Sequence, residues 1–402
     1  MNKFLVSTII LLFSLSSIEG RELQDIKIKL FSSYNGKTAM LSAKKGSYFL
    51  IAQDQYGHSI DTIAKIDSKD RRGGLLYLWI RGGKVALKRN GFNLGNYSNI
   101  YLRAADKNST FKVKYSNKNE RIYDGSLFIR SKNNNLELIN YVDMTSYVAG
   151  VVESEVGGSE KLELYKVQAI LVRTYAIRNF GKFKDKGYNL TDDVRSQVYF
   201  SKSHFSGNSK VIHRAVYLTR NLIIVGRGNR IIDPVFHANS GGQTMKSSDV
   251  WSFYIPYLKS IKDPYSTMPG SESLSWKKKI SVDTYLEYFY KKAPKYRNSK
   301  DYRKAILSFK QPNRKGYFIY KDVKIPLKDV RYNFRLRSSF FNVSLYGNNV
   351  ILRGKGYGHG VGLSQIGAIN MVKKGFTYDQ IIKFYYKGVR IVSIDETNIK
   401  FS

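Results

Sequence analysis

Two glutamates one residue apart, Glu153 and Glu155 in YVAGVVESEVGGSE, stand out in a chain carrying 67 Lys and Arg against 31 Asp and Glu. They follow a short amphipathic stretch and precede a glycine pair, which places them at a helix end or in a loop. A side chain there can face a cleft. A carboxylic acid so placed can protonate a glycosidic oxygen if burial raises its pKa. The plainer alternative is a pair of solvated acids bridged to nearby lysines.

Arg173 sits inside the apolar run VQAILVRTYAI. A guanidinium there needs partners, because burying it alone is costly. It can brace an acid, grip a substrate carboxylate or carbonyl, form a structural ion pair, or bury its stem and keep its head in water. Further on, FHANSGGQT contains Ser240, Gly241 and Gly242, a tight turn that bares backbone N–H groups. His237 lies close enough in sequence to suggest a Ser/His pair. No third, orienting group can be named, so a backbone rim to a groove is the better reading.

The most specific local signal is GKGYGHGVGLSQIGA. Glycines occupy positions 354, 356, 358, 360 and 362. In a strand-like segment that strips one face of side chains and admits another backbone or a ligand. Lys355, Tyr357, His359 and Val361 are left on the other face, and His359 becomes a candidate for function as much as for structure. The spacing is not a dinucleotide fingerprint. H-E-x-x-H, P-loop and G-x-S-x-G motifs are all missing, so metal and phosphate chemistry get no support, and neither a metal nor a cofactor is expected.

The elements that position these residues give an α+β class. Residues 24–130 alternate short β-rich runs (IKIKLF, SYFLIA, LLYLWI, KVALK, SLFIRS) with Gly/Asn/Asp turns. From Val142 the pattern turns helical. Asp143 can cap a short helix through Val152, and Ser159 a longer one in which Leu164, Val167, Leu171 and Tyr175 recur at helical spacing before Gly181. NLIIVG and DPVFHANSGG read as strands. Residues 265–350 form a second variable region, with a helix at VDTYLEYFYKKA and strands near AILSF and FFNVSLY. The ribbon then enters a helix, LSQIGAINMVKK, stopped by Gly375. Thr377 with Gln380 has capping-box spacing for the next helix, closed by Gly388, and a strand VRIVSI follows.

The 402 residues suit two or three modules, with enough apolar material, 42%, for packed cores. The net charge of +36 attracts polyanions: nucleic acid, anionic lipid or an anionic cell wall. Residues 1–20 carry Lys3, an apolar run of about a dozen residues and then small residues, as an export signal does. An uncleaved membrane anchor stays open as the alternative. Export argues against nucleic acid. The chain has no Cys, so an exported form is held by its core alone and a metal would need His and carboxylates.

Together, LINYVDMTSYVAGVVESEV, KVQAILVRTYAIRN, SQVYF, FHANSGGQT…SSDVWSFYIPYLKSIKDPY and GKGYGHGVGLSQIGAINMVKKGFTYDQIIKFYYKGVRI resemble the stage II sporulation protein D/LytB (SpoIID/LytB) family. The blocks arrive in the family's order over roughly 120–395, with a divergent stretch at 266–330. The resemblance implies a β-rich N-terminal region at 21–120 and a mixed α/β catalytic domain at 121–395 with a central groove. It implies an exported lytic transglycosylase acting on peptidoglycan glycan strands, or a wall-binding enhancer of a cell-wall amidase. It maps the catalytic acid onto Glu155 and puts Glu153 where relatives usually carry Pro. It maps Arg173, Tyr175, Gln197, Ser240, Gly241, His359 and Gln365 around the groove. Where some relatives have zinc-binding cysteines, this chain has Thr191 and Ser196, with Arg195 nearby, and no zinc is expected. The implied partners are glycan strands, a wall amidase and anionic envelope polymers, with the protein at the cell envelope.

Overall fold

The structure, a computed structural model, describes residues 25–157, 161–200, 209–251, 253–269 and 275–397. The expected export signal at 1–20 and the expected cap Ser159 lie outside the described residues. The alternating apolar runs form strands, one side chain in and the next out. In order these are β1 (Ile26–Leu30), β2 (Thr38–Lys45), β3 (Ser47–Gln53), β4 (Ser59–Asp67), β5 (Leu76–Arg81), β6 (Lys84–Arg89), β7 (Phe92–Tyr97), β8 (Asn99–Ala104), β9 (Thr110–Tyr115), β10 (Arg121–Asp124), β11 (Ser126–Lys132) and β12 (Asn135–Val142). They make two sheets. One runs β10-β9-β2-β5-β6-β7. The other runs β1-β12-β11-β8-β3-β4 and is extended beside β1 by a short parallel strand, β13 (Leu190–Thr191). β11 pairs with β8, and β12 with β1, so this sheet crosses residue 120, the expected edge of the β-rich region.

The helices begin where the capping signal puts them. Asp143 Oδ1 accepts from the Ser146 amide at 2.9 Å and starts α1 (Met144–Val156). The helix passes Val152 and continues to Val156, so Glu153 and Glu155 lie in its last turns. α2 (Leu162–Arg178) is the centre of the fold. Its Tyr165, Ala169 and Val172 join a core with Ile28, Leu50, Leu41 and Val113 of the two sheets and Val148 and Val152 of α1. Its Leu164, Val167, Ile170 and Leu171 join a second core further along the chain. A helix apolar on every side is buried on every side, and a polar residue on it is costly unless it finds a partner inside the protein. α3 (Ser209–Leu218), β14 (Leu222–Val225) and β15 (Phe236–His237) follow.

A third core lies in the variable region, built by β16 (Ser275–Ser281), α4 (Val282–Lys292), α5 (Lys300–Leu307), β17 (Tyr317–Tyr320), β18 (Val323–Pro326), α6 (Leu327–Asn333), β19 (Phe341–Tyr346) and β20 (Asn349–Lys355). The expected strand at AILSF is instead the end of α5. Ser299 caps that helix through the Tyr302 amide, and Tyr302 and Ile306, four residues apart, are both buried; helical spacing overrides the short apolar run. The chain returns through β21 (Leu363–Ser364), α7 (Gln365–Lys373), α8 (Tyr378–Tyr385) and β22 (Arg390–Ser393). The Thr377/Gln380 capping box forms at the start of α8. The fold is mixed α+β.

Candidate active site

Glu155 is half-buried in the last turn of α1. Burial raises its pKa, and the backbone N–H of Val198, at 3.3 Å from Oε1, offsets part of that rise. The negative end of the α1 dipole also disfavours a carboxylate there. The segment 197–200, within the SQVYF block, is laid along this helix end. The Phe200 amide donates to Ser154 Oγ at 3.1 Å, and Ser154 Oγ donates to the Gly150 carbonyl at 2.7 Å. Gln197 is buried and accepts from Tyr147 OH at 3.1 Å. It anchors the segment that touches Glu155 and does not itself line the groove. Glu153 is 8% exposed and lies outside the cavity that Glu155 opens onto.

That cavity, about 340 Å³, is bounded by Glu155 and Val156 of α1, Leu164 and Gln168 of α2, Ala238, Arg337, Tyr357, and Gln365, Ile366 and Ile369 of α7. Its size suits a small-molecule or single-sugar site. Tyr357 is 51% exposed and offers a ring face. Arg337 presents an exposed guanidinium at the rim. Glu155 is the one carboxylate among these lining residues.

The glycine segment does not stay a strand. β20 ends at Lys355, and Gly356, Gly358, Gly360 and Gly362 all take positive φ, a region that L-residues enter at a cost. Close approach adds a second requirement. A Cβ on Gly362 would lie 2.0 Å from the Val235 carbonyl oxygen, and one on Gly356 2.7 Å from that of Asn239. Asn239 and Tyr357 exchange both backbone hydrogen bonds, at 3.0 and 2.9 Å. The expected common face for Tyr357 and His359 is therefore broken. Tyr357 turns to the cavity. His359 turns inward, where Nε2 meets the Phe236 carbonyl at 3.0 Å and Nδ1 accepts from the Val361 amide at 3.1 Å. Burial pushes its pKa down to about 4, so it is a neutral structural histidine with both nitrogens engaged.

Two further sequence candidates, Ser240 and Gly241, hold the wall of the groove together. Ser240 is fully buried, and its Oγ lies 2.7 Å from Asp263 and 2.6 Å from Ser266 Oγ. The Gly241 amide donates to Asn239 Oδ1 at 2.6 Å, so it is not bared towards a ligand. Arg173 is 2% exposed and caps the C-terminal end of α3, donating to the carbonyls of Thr219 (2.8 Å), Leu222 (3.2 Å) and Val216 (3.4 Å). It neither braces Glu155 nor reaches the cavity. Carbonyl dipoles at a helix C-terminus satisfy a guanidinium as an acid would, and the sequence could not choose between them. Tyr175 is half-buried with Lys182 donating to its hydroxyl at 3.3 Å, and it too lies off the cavity. Of the mapped residues, Glu155 and Gln365 are the two brought together.

Sequence reasoning passed over Gln168, Arg337 and Arg314, and placed Tyr357 on a face of the glycine ribbon without giving it a role. Arg314 is buried and donates to the carbonyls of Ser240 (2.8 Å), Gln243 (3.2 Å) and His359 (3.4 Å), tying the two wall loops together. Nothing in QPNRKGY marks it. Gln168 had a signal, a polar residue on the apolar face of α2.

A family model for the stage II sporulation protein SpoIID matches residues 132–225. The stage II sporulation protein D of Bacillus amyloliquefaciens is 31% identical over 285 residues, 68% of this chain and 80% of that protein. The chain belongs to the SpoIID/LytB family. The stage II sporulation protein D of Bacillus subtilis is 32% identical over 269 residues, 64% of this chain and 76% of that protein. A protein named amidase enhancer from the same species is 26% identical over 376 residues, 80% of this chain and 50% of that protein. At Thr191 and Ser196, where the resemblance implies zinc-binding cysteines in some relatives, this chain has hydroxyls. Thr191 Oγ1 donates to Asp193 Oδ1 at 3.0 Å and lies 3.1 Å from Ser196 Oγ, which can donate to it. Asp193 is taken by Arg195 at 2.7 Å. A hydroxyl pair and an engaged carboxylate are a poor zinc donor set, and among the described residues no group of three or more His, Asp or Glu could hold a metal.

Proposed function

We propose that this chain is a lytic transglycosylase of the cell envelope that cuts peptidoglycan glycan strands with Glu155 as acid and then base. The observation that carries the reading is a single carboxyl, held towards its protonated form by burial, opening onto a sugar-sized cavity with no second carboxylate among the described lining residues. Glycoside hydrolysis by water ordinarily takes two carboxylates flanking the bond. An intramolecular displacement takes one. Glu155 gives its proton to the glycosidic oxygen as the C1–O bond after N-acetylmuramic acid breaks. Its carboxylate then takes the proton of that sugar's 6-hydroxyl, and the O6–C1 bond closes a 1,6-anhydro ring. Glu155 ends as it began, and water is not consumed.

The cavity supports the substrate assignment. Tyr357 supplies a ring on which a sugar can stack, and Arg337 a cation for an anionic substituent. The +36 charge favours an anionic wall. The reading places the protein outside the cytoplasmic membrane, for which residues 1–20 are suited. Mass spectrometry of glycan strands incubated with the purified protein tests it: 1,6-anhydro ends are expected, and intact strands would overturn it.

The match to a protein named amidase enhancer favours a second reading, a wall-binding protein that stimulates an amidase without cutting. Stimulated amidase activity with no anhydro ends, unaltered by Glu155→Gln, would decide for it.

A further inference from the structure

Gln168 is 0% exposed, and neither Nε2 nor Oε1 has a hydrogen-bond partner. A buried primary amide with both ends unpaired costs stability, and in a settled core an apolar residue would replace it. It sits in the middle of α2, whose neighbouring positions Val167, Ala169 and Ile170 are all apolar and buried. It also lines the Glu155 cavity, among Val156, Leu164, Ala238, Ile366 and Ile369. The inner part of the site therefore combines an apolar lining with one uncommitted amide. That chemistry matches an acetamido group, a methyl beside one carbonyl acceptor and one N–H donor.

We infer that Gln168 and the apolar residues around it form a subsite for the N-acetyl group of the sugar placed against Glu155. This deepens the glycan-cleavage reading and rests on it. Nε2 donates to the acetamido carbonyl or Oε1 accepts from its N–H, and the methyl packs on Leu164, Ile366 and Ile369. The amide is closed from solvent in the free protein, so a side-chain adjustment of the kind common on binding uncovers it as the sugar enters. Gln168 then selects N-acetylated over de-N-acetylated strands. A polar site left unpaired by the wrong substrate rejects it more strongly than an apolar pocket can.

The test measures binding in the Glu155→Gln background, where cleavage cannot interfere. The probes are an N-acetylglucosamine tetramer and the same tetramer without its acetyl groups. The acetylated tetramer is expected to bind more tightly, and Gln168→Leu is expected to shrink that preference about tenfold or more. The de-N-acetylated probe is cationic and repelled by a basic protein, but that repulsion persists in Gln168→Leu, so the change in ratio isolates the amide. Thermal melts accompany the measurement. The leucine variant should melt at the same temperature or higher, since it removes an unsatisfied buried group. An unchanged ratio overturns the inference, as does a lowered melting temperature, which would assign the amide to the fold. Binding without acetyl preference defeats the inference alone; no binding of either probe, with no anhydro ends from the unsubstituted protein, defeats the glycan reading as well.

Discussion

The backbone N–H of Val198 donates to Glu155 across 43 residues of sequence, at 3.3 Å. This one donor favours the carboxylate, while burial and the end of α1 favour the acid, and burial prevails. A general acid and base that must both give and take a proton is best placed between those pulls. The donor is a backbone group, so the poise depends on how firmly the 197–200 segment is clipped to α1.

Glu155→Gln should lower the rate of anhydro-end formation about a hundred- to ten-thousand-fold while leaving strand binding in place. The rate in the unsubstituted protein should fall as pH rises through the raised Glu155 pKa, because the acid form is needed to start. The stability sign follows the same shift. A carboxyl whose folded pKa lies above its unfolded value loses stability as pH rises from the unfolded to the folded pKa. The glutamine variant lacks that loss, so its melting temperature should gain on that of the unsubstituted protein from acid towards neutral pH. A gap that stays flat across that range would mean that Glu155 is not sheltered.

Clipping gives a second expectation. Ser154→Ala removes the acceptor of the Phe200 amide and should cost about 1 kcal/mol of stability. It should also shift the pH limb of activity, because the Val198 donor is held by the same segment. Urea unfolding and a pH–rate profile check both; a stability loss with an unmoved pH limb would show that the segment does not tune the acid.

Arg173 is assigned to the fold rather than to the site. Arg173→Met removes the donor that the carbonyls of Val216, Thr219 and Leu222 share between α3 and β14, and a loss of about 3 kcal/mol is expected. Activity per folded molecule should be unchanged below the shifted melting temperature. A variant that melts normally but does not cut would return Arg173 to the catalytic site.

Acid should weaken the groove wall before it reaches the carboxylates. His359 is held neutral with its pKa down to about 4, and His237 is pushed the same way. Between the unfolded value near 6.5 and about 4 the unfolded chain binds the extra proton, so stability falls as pH drops through that window. His359 accounts for at most about 3 kcal/mol of it. His359→Gln, which keeps a donor for the Phe236 carbonyl, should flatten part of the slope in melts from pH 7 to 4, leaving the share of His237. An unchanged slope would mean that the His359 ring is not sheltered.

How much was legible in the sequence follows from which forces were local. The strands of the β-rich region, the Asp143 cap and the Thr377/Gln380 box were readable because period-2 alternation and short-range side-chain bonds fix them. The catalytic candidate was readable because acid is rare in this chain and because the block around it resembled a family. Three things were not. Arg173 in an apolar run has the same sequence whether its partner is a carboxylate or a helix end. The glycine ribbon was taken for a strand because glycine spacing does not reveal the sign of φ, and so Tyr357 and His359 were assigned to one face. Arg337 reaches the groove, and Arg314 its wall, from the variable region at 265–350, where no local pattern marks them.

The surface charge should matter for the wall and little for the bond that breaks. The net +36 acts over a Debye length of about 10 Å at 0.1 M salt, shrinking to about 3 Å at 1 M. Attraction of a basic surface to an anionic wall is therefore screened, whereas a proton passed between Glu155 and a bound sugar is not. Pull-down on purified wall should drop steeply between low and high salt, while cleavage of a short, uncharged N-acetylated oligosaccharide should change little. Equal wall binding at both salt concentrations would show that recognition lies in the groove alone, with the basic surface serving solubility.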